Sequence, residues 1–264
     1  VGAADRAAVT QAVTERLRAA GCVFAEEEAA LLVEQSATDR DLHTLVARRC
    51  AGEPLEQVLG WVDFAGLRLT LSPGVFVPRQ RSRLLVDQAV ARGWPGCLVL
   101  DMCCGSGALG AAVAAALGAV TLVATDIDPV AVACAQTNIQ PWRGRALVSD
   151  LDAALPPDLA GRVDLLVVNA PYVPTGAIRL LPPEARDHEP LRALDGGGDG
   201  VDVHRRVAAL ASRWLSPTGT LLVETSQEQA RATEAAVRSA GLLALLAAEA
   251  DDGTAVVAGH LMSG

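Results

Sequence analysis

Four residues able to clamp a ligand stand together at Asn169-Ala170-Pro171-Tyr172. They follow the apolar run Val163-Asp164-Leu165-Leu166-Val167-Val168, which reads as a buried strand. The carboxyl end of a parallel strand is where α/β sheets place their ligands. Asn169 offers one acceptor and two donors, and Tyr172 offers a flat face with a hydroxyl. Pro171 fixes one φ angle and biases Ala170 toward an extended backbone, so the loop is stiff. Taken alone, the four residues also fit a strand-ending Asn-x-Pro turn with a buried tyrosine.

A second constellation lies upstream. Leu98-Val99-Leu100-Asp101 runs into Met102-Cys103-Cys104-Gly105-Ser106-Gly107-Ala108-Leu109-Gly110 and then an alanine-rich helix. Glycines between a strand and a helix let a ligand approach the backbone, and the helix start supplies unpaired N–H groups. Gly105-x-Gly107-x-x-Gly110 fits the dinucleotide fingerprint, with Asp126 about 20 residues on to meet a ribose. The loop therefore indicates an adenosine-type cofactor and leaves its kind open. Two carboxylates favour S-adenosylmethionine. Asp101 ends its strand just before the glycines, where it would attract a cationic amino-acid headgroup and repel a pyrophosphate. Asp150, after the third candidate strand, is placed to accept from an adenine amino group, although a solvated strand end reads the same way. Asp126 closes its own strand, Pro129 opens the next helix, and Asp128 is the N-cap between them.

These residues need a sheet to hold them. Candidate strands are Cys97–Asp101, Thr121–Thr125, Arg145–Val148, Val163–Val168, Thr220–Glu224, Leu242–Ala247 and Ala255–Gly259. Helices fall at Ala108–Leu117, Pro129–Asn138, Val201–Leu215 and Gln227–Ala240. Alternation of this kind predicts an α/β fold with a mainly parallel sheet covered on both faces. Only Glu249–Thr254 separates the last two strands, too short for a crossover helix, so the final strand is expected to pair antiparallel. Upstream, residues 3–50 carry helical stripes, with Asp39 as candidate N-cap of a third helix. Phe64-Ala-Gly-Leu-Arg-Leu-Thr-Leu71 suggests a hairpin strand, and Ser72-Pro73-Gly74 a turn.

Composition excludes several classes. A formal charge of −9 opposes a broad nucleic-acid footprint, leaving only a local basic patch such as Arg79, Arg81 and Arg83. The six cysteines show no CxxC pair, zinc spacing or disulfide framework, so no metal site is expected. Neither a signal-peptide pattern nor an apolar run of about 18 residues is present, and the expected location is cytoplasmic.

Together these elements resemble the HemK/PrmC family of protein-(glutamine N5) methyltransferases, which modify the Gly-Gly-Gln motif of peptide-chain release factors. The likeness runs from Gly52-Glu-Pro-Leu55 and Leu59-Gly60 through Phe64-x-Gly66 and Pro73-Gly-Val-Phe-Val-Pro-Arg79. It continues through Asp101–Gly107, Asn169-x-Pro-Tyr172, Pro183-Glu184-x-Arg186-Asp187-His188-Glu189-Pro190 and Ala193-Leu-Asp195-Gly-Gly-x-Asp-Gly200. The resemblance implies a Rossmann-like class I methyltransferase sheet of seven strands, the last antiparallel, over residues 81–264. A helical substrate-recognition domain over 1–60 and a hairpin linker over 61–80 would precede it.

Roles follow from the same resemblance. Cys103, Cys104, Gly105, Ser106 and Gly107 would line the methionine and ribose portions of S-adenosylmethionine, near Asp101. Asp126 with Ile127 would take the ribose hydroxyls, and Asp150 with Leu151 would border the adenine. Asn169, which would also border the cofactor, and the carbonyl of Ala170 would accept from the substrate amide N–H₂, with Pro171 shaping the loop and Tyr172 packing on the amide. The implied partner is a release factor; no membrane partner is expected, and the acidic balance argues against nucleic acid as the direct substrate.

The chain departs from the family pattern in three places. Ala170 replaces the first proline of Asn-Pro-Pro-Tyr, Cys103 replaces the first loop glycine, and Gln80-Arg81-Ser82-Arg83 replaces Pro-Glu-Thr-Glu. These changes bear on the acceptor, so N-methylation of a small metabolite or a nucleic-acid base stays open, as does cofactor binding without catalysis. His43, His204 and His260 read as helix-surface or strand-end residues, whereas His188 shares the loop at the presumed substrate mouth.

Overall fold

The computed structural model describes residues 3–262; the outer bounds expected at residues 1 and 264 lie outside them. Four helices come first: α1 (Ala3–Ala19), α2 (Ala25–Gln35), α3 (Asp39–Cys50) and α4 (Leu55–Leu59). They enclose a small core of their own from Val13, Leu17, Leu32, Val46 and Val58. The N-cap of α3 is Thr38, whose Oγ1 accepts from Asp41 N at 3.2 Å, and not Asp39 as expected. Thr38 keeps an extended backbone, whereas Asp39 is already helical.

A hairpin follows, β1 (Trp61–Phe64) and β2 (Leu67–Thr70). The expected single strand from Phe64 to Leu71 is broken by the turn at Ala65-Gly66, where both residues have positive φ. Val62, Phe64 and Leu69 are buried in the main core, so the hairpin is packed onto the body as well as connecting to it.

The body alternates α5 (Arg83–Val90), β3 (Leu98–Met102), α6 (Ala108–Leu117), β4 (Thr121–Asp126), α7 (Pro129–Ile139), β5 (Arg145–Val148) and β6 (Val163–Val168). It ends with α8 (Pro183–His188), α9 (Asp202–Trp214), β7 (Leu215–Ser226), α10 (Gln227–Ser239), β8 (Leu242–Glu249) and β9 (Thr254–Leu261). Strands β3 to β9 form one seven-stranded sheet in the order β5-β4-β3-β6-β7-β9-β8. β5, β4, β3, β6 and β7 are parallel neighbours, and β9 slots between β7 and β8, antiparallel to both. The short β8–β9 connection dictates this, as expected. Apolar residues cover both faces: Val99, Val113, Ala124 and Leu165 belong to one cluster, Leu100, Leu166, Ala211 and Trp214 to the other. No described helix is long and apolar enough to cross a membrane.

Candidate active site

The site is one register step past the last row that β4, β3, β6 and β7 share. Thr125, Met102, Val168 and Val223 form a row across β4, β3, β6 and β7. One residue further on stand Asp126, Cys103, Asn169 and Glu224, and all four line a cavity of about 570 Å³. The cavity thus opens at the carboxyl edge of the parallel strands, as the topology of α/β sheets requires.

Cys104, Gly105, Ser106, Ile127, Asp150 and Leu151, expected to meet the cofactor, line the same cavity. Cys103 has φ 60°, so it holds the left-handed backbone that the family's glycine would adopt freely. Burial pushes the thiols of Cys103 and Cys104 upward, which makes them walls and not nucleophiles. Asp126 braces the loop: Oδ2 accepts from Gly105 N and Oδ1 from Asp128 N, each at 2.9 Å. Burial raises its carboxyl, opposed by the bonds from Asp128 and Gly105. Asp128 caps α7 by accepting from Val130 N at 3.0 Å. Asp150 sits at the rim, where Oδ1 accepts from Arg206 Nη2 at 2.8 Å.

Two expected cofactor residues do not reach the cavity wall. Asp101 is 0% exposed, and its Oδ2 accepts from Gly110 N at 2.9 Å, which aims the carboxylate under the start of α6. A Cβ on Gly110 would stand 3.0 Å from that oxygen, so this glycine permits the approach. Gly107 has φ 75° and abuts α7, where a Cβ would lie 3.0 Å from Ala135 Cα.

At the acceptor end, Asn169 Nδ2 donates to Ser82 Oγ at 3.1 Å, leaving Oδ1 as the atom available to a ligand. The buried Ala170 places its methyl in the core and retains its carbonyl. Arg81 Nη2 donates to Tyr172 Oη at 3.0 Å, so the residue standing for the family's glutamate is a guanidinium on the cavity wall. Burial and Glu224 raise the Tyr172 phenol, with Arg81 opposing.

The loop is held from behind by residues whose role the sequence alone did not reveal. Gln229 Nε2 donates to the Tyr172 carbonyl at 2.9 Å and to the Asp199 carbonyl at 3.0 Å. Val173 N donates to the Leu194 carbonyl at 3.0 Å, and Gly196 N to the Val173 carbonyl at 2.9 Å. A Cβ on Gly196 would lie 2.7 Å from the Pro171 carbonyl oxygen, which accounts for a glycine at this position. Arg79 Nη2 donates to the buried Glu189 Oε2 at 2.6 Å, tying the linker to the loop after α8.

The histidines are a partial correction. His204 is 0% exposed rather than on a helix surface, with Nδ1 3.0 Å from Thr233 Oγ1. Burial lowers it to about 4, so its ring is neutral. His188 does not line the cavity; its Nε2 faces Gly52, where a Cβ would stand at 3.5 Å.

The donor set on the cavity wall suits an adenosine-type cofactor. Asp126 keeps lone pairs for a vicinal diol beyond the two backbone N–H groups it holds. Ile127, 55% exposed in the wall, and Leu151 offer apolar faces to a flat ring. Burial and the neighbouring Asp126 push the Asp101 carboxyl up to about 7, and its Oδ1 has no partner among the described residues. Buried beneath the start of α6 and off the cavity wall, Asp101 supports the loop and does not itself select the ligand. The residues present fit S-adenosylmethionine.

Sheet order, glycine loop and strand-end acids define a class I methyltransferase. The family model "Methyltransferase small domain" matches residues 66–181. A release factor glutamine methyltransferase of Geobacter sulfurreducens is 40% identical over 70% of the chain, which spans 65% of that relative's length. Its Streptomyces coelicolor counterpart is 36% identical over 84% of the chain and 85% of its own length. A Streptomyces pristinaespiralis 4-amino-L-phenylalanine/4-methylamino-L-phenylalanine methyltransferase is 32% identical over 91% of the chain and 84% of its own length. Among solved structures, the T. thermophilus 16S rRNA N2 G1207 methyltransferase superposes with a TM-score of 0.56 at 22% identity, covering 76% of this chain and 50% of its own. That likeness shows the fold alone. The chain belongs to the release factor glutamine methyltransferase family.

Proposed function

We propose that this chain transfers a methyl group from S-adenosylmethionine to the side-chain amide nitrogen of a protein glutamine, of the release-factor Gly-Gly-Gln kind. The carrying observation is the Asn169–Ser82 bond, which commits Nδ2 and leaves Oδ1 to accept, in a cavity that Ala170 also lines. Asn169 Oδ1 and the Ala170 carbonyl would match the two N–H groups of a primary amide.

The chemistry explains that choice. A carboxamide nitrogen is a poor nucleophile because its lone pair is delocalised into the carbonyl. The cofactor supplies an electrophilic methyl; the chain's task is to hold the nitrogen in line with it. Orientation of two bound reactants contributes on the order of 7–11 kcal/mol. Asn169 Oδ1 and the Ala170 carbonyl then accept more strongly as positive charge grows on nitrogen, the mirror image of an oxyanion hole. Tyr172, fixed by Arg81 and Gln229, packs on the flat amide. Asp126 holds the ribose hydroxyls, and Asp150 and Leu151 border the adenine.

The helices α1–α4 serve the protein partner in this reading. Arg49, paired with Glu28 Oε2 at 2.6 Å, also meets Glu184 Oε1 of α8 at 2.6 Å, joining that domain to the cavity mouth. The test is incubation with methyl-labelled cofactor and a release factor, followed by peptide mapping. Label on the Gly-Gly-Gln glutamine supports the proposal. No label there, with turnover of a free arylamine amino acid instead, overturns it.

A further inference from the structure

We infer that Glu224 is the terminal proton acceptor of the reaction, a role that rests on the amide-acceptor reading above. Methylation leaves the amide nitrogen with a positive charge and an N–H bond to lose. Asn169 and the Ala170 carbonyl can accept hydrogen bonds but cannot keep a proton. Glu224 can. It closes the register row beside Asn169, is 1% exposed, lines the cavity, and its Oε2 has no partner among the described residues. An unpaired buried carboxylate oxygen is costly unless something else repays it, and a proton arriving from substrate does so.

The step balances without any further reagent. The N–H bond of the methylated nitrogen breaks, its electron pair returns to nitrogen as the amide lone pair, and the proton joins Oε2. The positive charge on nitrogen and the negative charge on Glu224 disappear together, so no net charge is left in the buried wall.

The groups around Glu224 support this use. Burial raises its carboxyl above the ordinary glutamate value, while Ser82, Arg81 and Asn169 hold it down and Asp252 pushes it further up. The same carboxylate helps to raise the Tyr172 phenol. Arg81 and Ser82 come from the turn before α5, Asn169 and Tyr172 from the loop after β6, and Asp252 from the β8–β9 turn. A base raised in this way holds an accepted proton more firmly than an ordinary glutamate.

Glu224→Gln tests the inference. The rate constant for methyl transfer to a glutamine-containing release factor is expected to fall by about 10²–10⁴-fold. The acid limb of the wild-type pH–rate profile, where protonation silences Glu224, should vanish in the variant. Calorimetric affinity for S-adenosylmethionine and the thermal midpoint should change little, which separates lost chemistry from lost folding. Infrared difference spectra of the cofactor-free protein should show a carboxylic-acid band that titrates above the ordinary range and is absent in the variant. If Glu224→Gln does not fold, Glu224→Asp provides the same spectrum and profile with a displaced acid limb. Wild-type turnover with an unchanged acid limb in the variant overturns the role. Failure of the wild-type chain to methylate any amide overturns the underlying reading instead.

Discussion

Asn169 and Glu224 stand side by side at the carboxyl edge of the sheet because Val168 and Val223, one residue earlier, pair across β6 and β7. An amide that accepts and a carboxylate that can keep a proton thus share one wall of the cavity. Ser82, buried beneath them, receives the Asn169 Nδ2 hydrogen and sets the division of labour.

Removing the acceptor oxygen should separate binding from chemistry. Asn169→Ala is expected to lower turnover by about 10²–10³-fold, the loss typical of one preorganised group. Affinity for S-adenosylmethionine, measured calorimetrically, should stay near wild type. A parallel loss of both would move Asn169 into the cofactor half of the site.

Asp126 should act in the opposite sense. It holds the Gly105 and Asp128 N–H groups at 2.9 Å each, and charged hydrogen bonds contribute about 1.5–3 kcal/mol. Asp126→Ala is expected to weaken the cofactor on the order of 10–100-fold by calorimetry. Unchanged affinity would remove Asp126 from the ribose role.

Cys103 is strained where the family carries glycine, with φ 60°. Cys103→Gly should relieve about 1 kcal/mol. For a chain of this size the thermal midpoint is expected to rise by roughly 2–4 °C. A lower midpoint would mean that the cysteine's packing outweighs its backbone strain.

The acceptor loop depends on its buttress. A Cβ at Gly196 would lie 2.7 Å from both the Pro171 oxygen and Tyr172 Cα. Gly196→Ala must therefore shift the loop, and a displacement of about 1 Å can cost 10²-fold in rate. Turnover should fall by that order while cofactor affinity holds.

Asp101 makes the cofactor-free protein sensitive to pH. Its carboxyl, ordinarily at 3.8, is pushed up to about 7 by burial. Between those values the folded state binds more protons than the unfolded chain, so this residue's contribution to stability falls as pH rises from about 4 to 7. Asp101→Asn removes the titration. The variant's midpoint relative to wild type should therefore climb across that window, as followed by thermal unfolding at pH 5 and pH 8. A flat difference would mean that Asp101 titrates normally.

Most strand ends were legible because apolar runs stop abruptly at polar residues: Arg145–Val148 and Val163–Val168 are observed as expected. The register that gathers their ends was not legible, since no single strand carries it. Glu224 is not legible as a site residue for that reason. In Leu221-Leu222-Val223-Glu224 it reads as an ordinary strand end, although a carboxylate closing a buried run, as Asp101 and Asp126 also do, was the available signal. The place of Asp101 before the glycines is legible in the sequence, but its burial beneath Gly110, off the cavity wall, is set by the fold. Gln229, from a helix far along the chain, reaches the Tyr172 carbonyl only once the fold is closed.

The most direct measurement is a crystal structure of the chain with S-adenosylhomocysteine and a peptide bearing Gly-Gly-Gln. The glutamine amide nitrogen should lie within hydrogen-bonding distance of both Asn169 Oδ1 and the Ala170 carbonyl oxygen, with Tyr172 stacked on the amide plane and Glu224 Oε2 beside it. A peptide bound with its amide outside the cavity, or Asn169 Oδ1 turned away from it, would contradict the amide clamp.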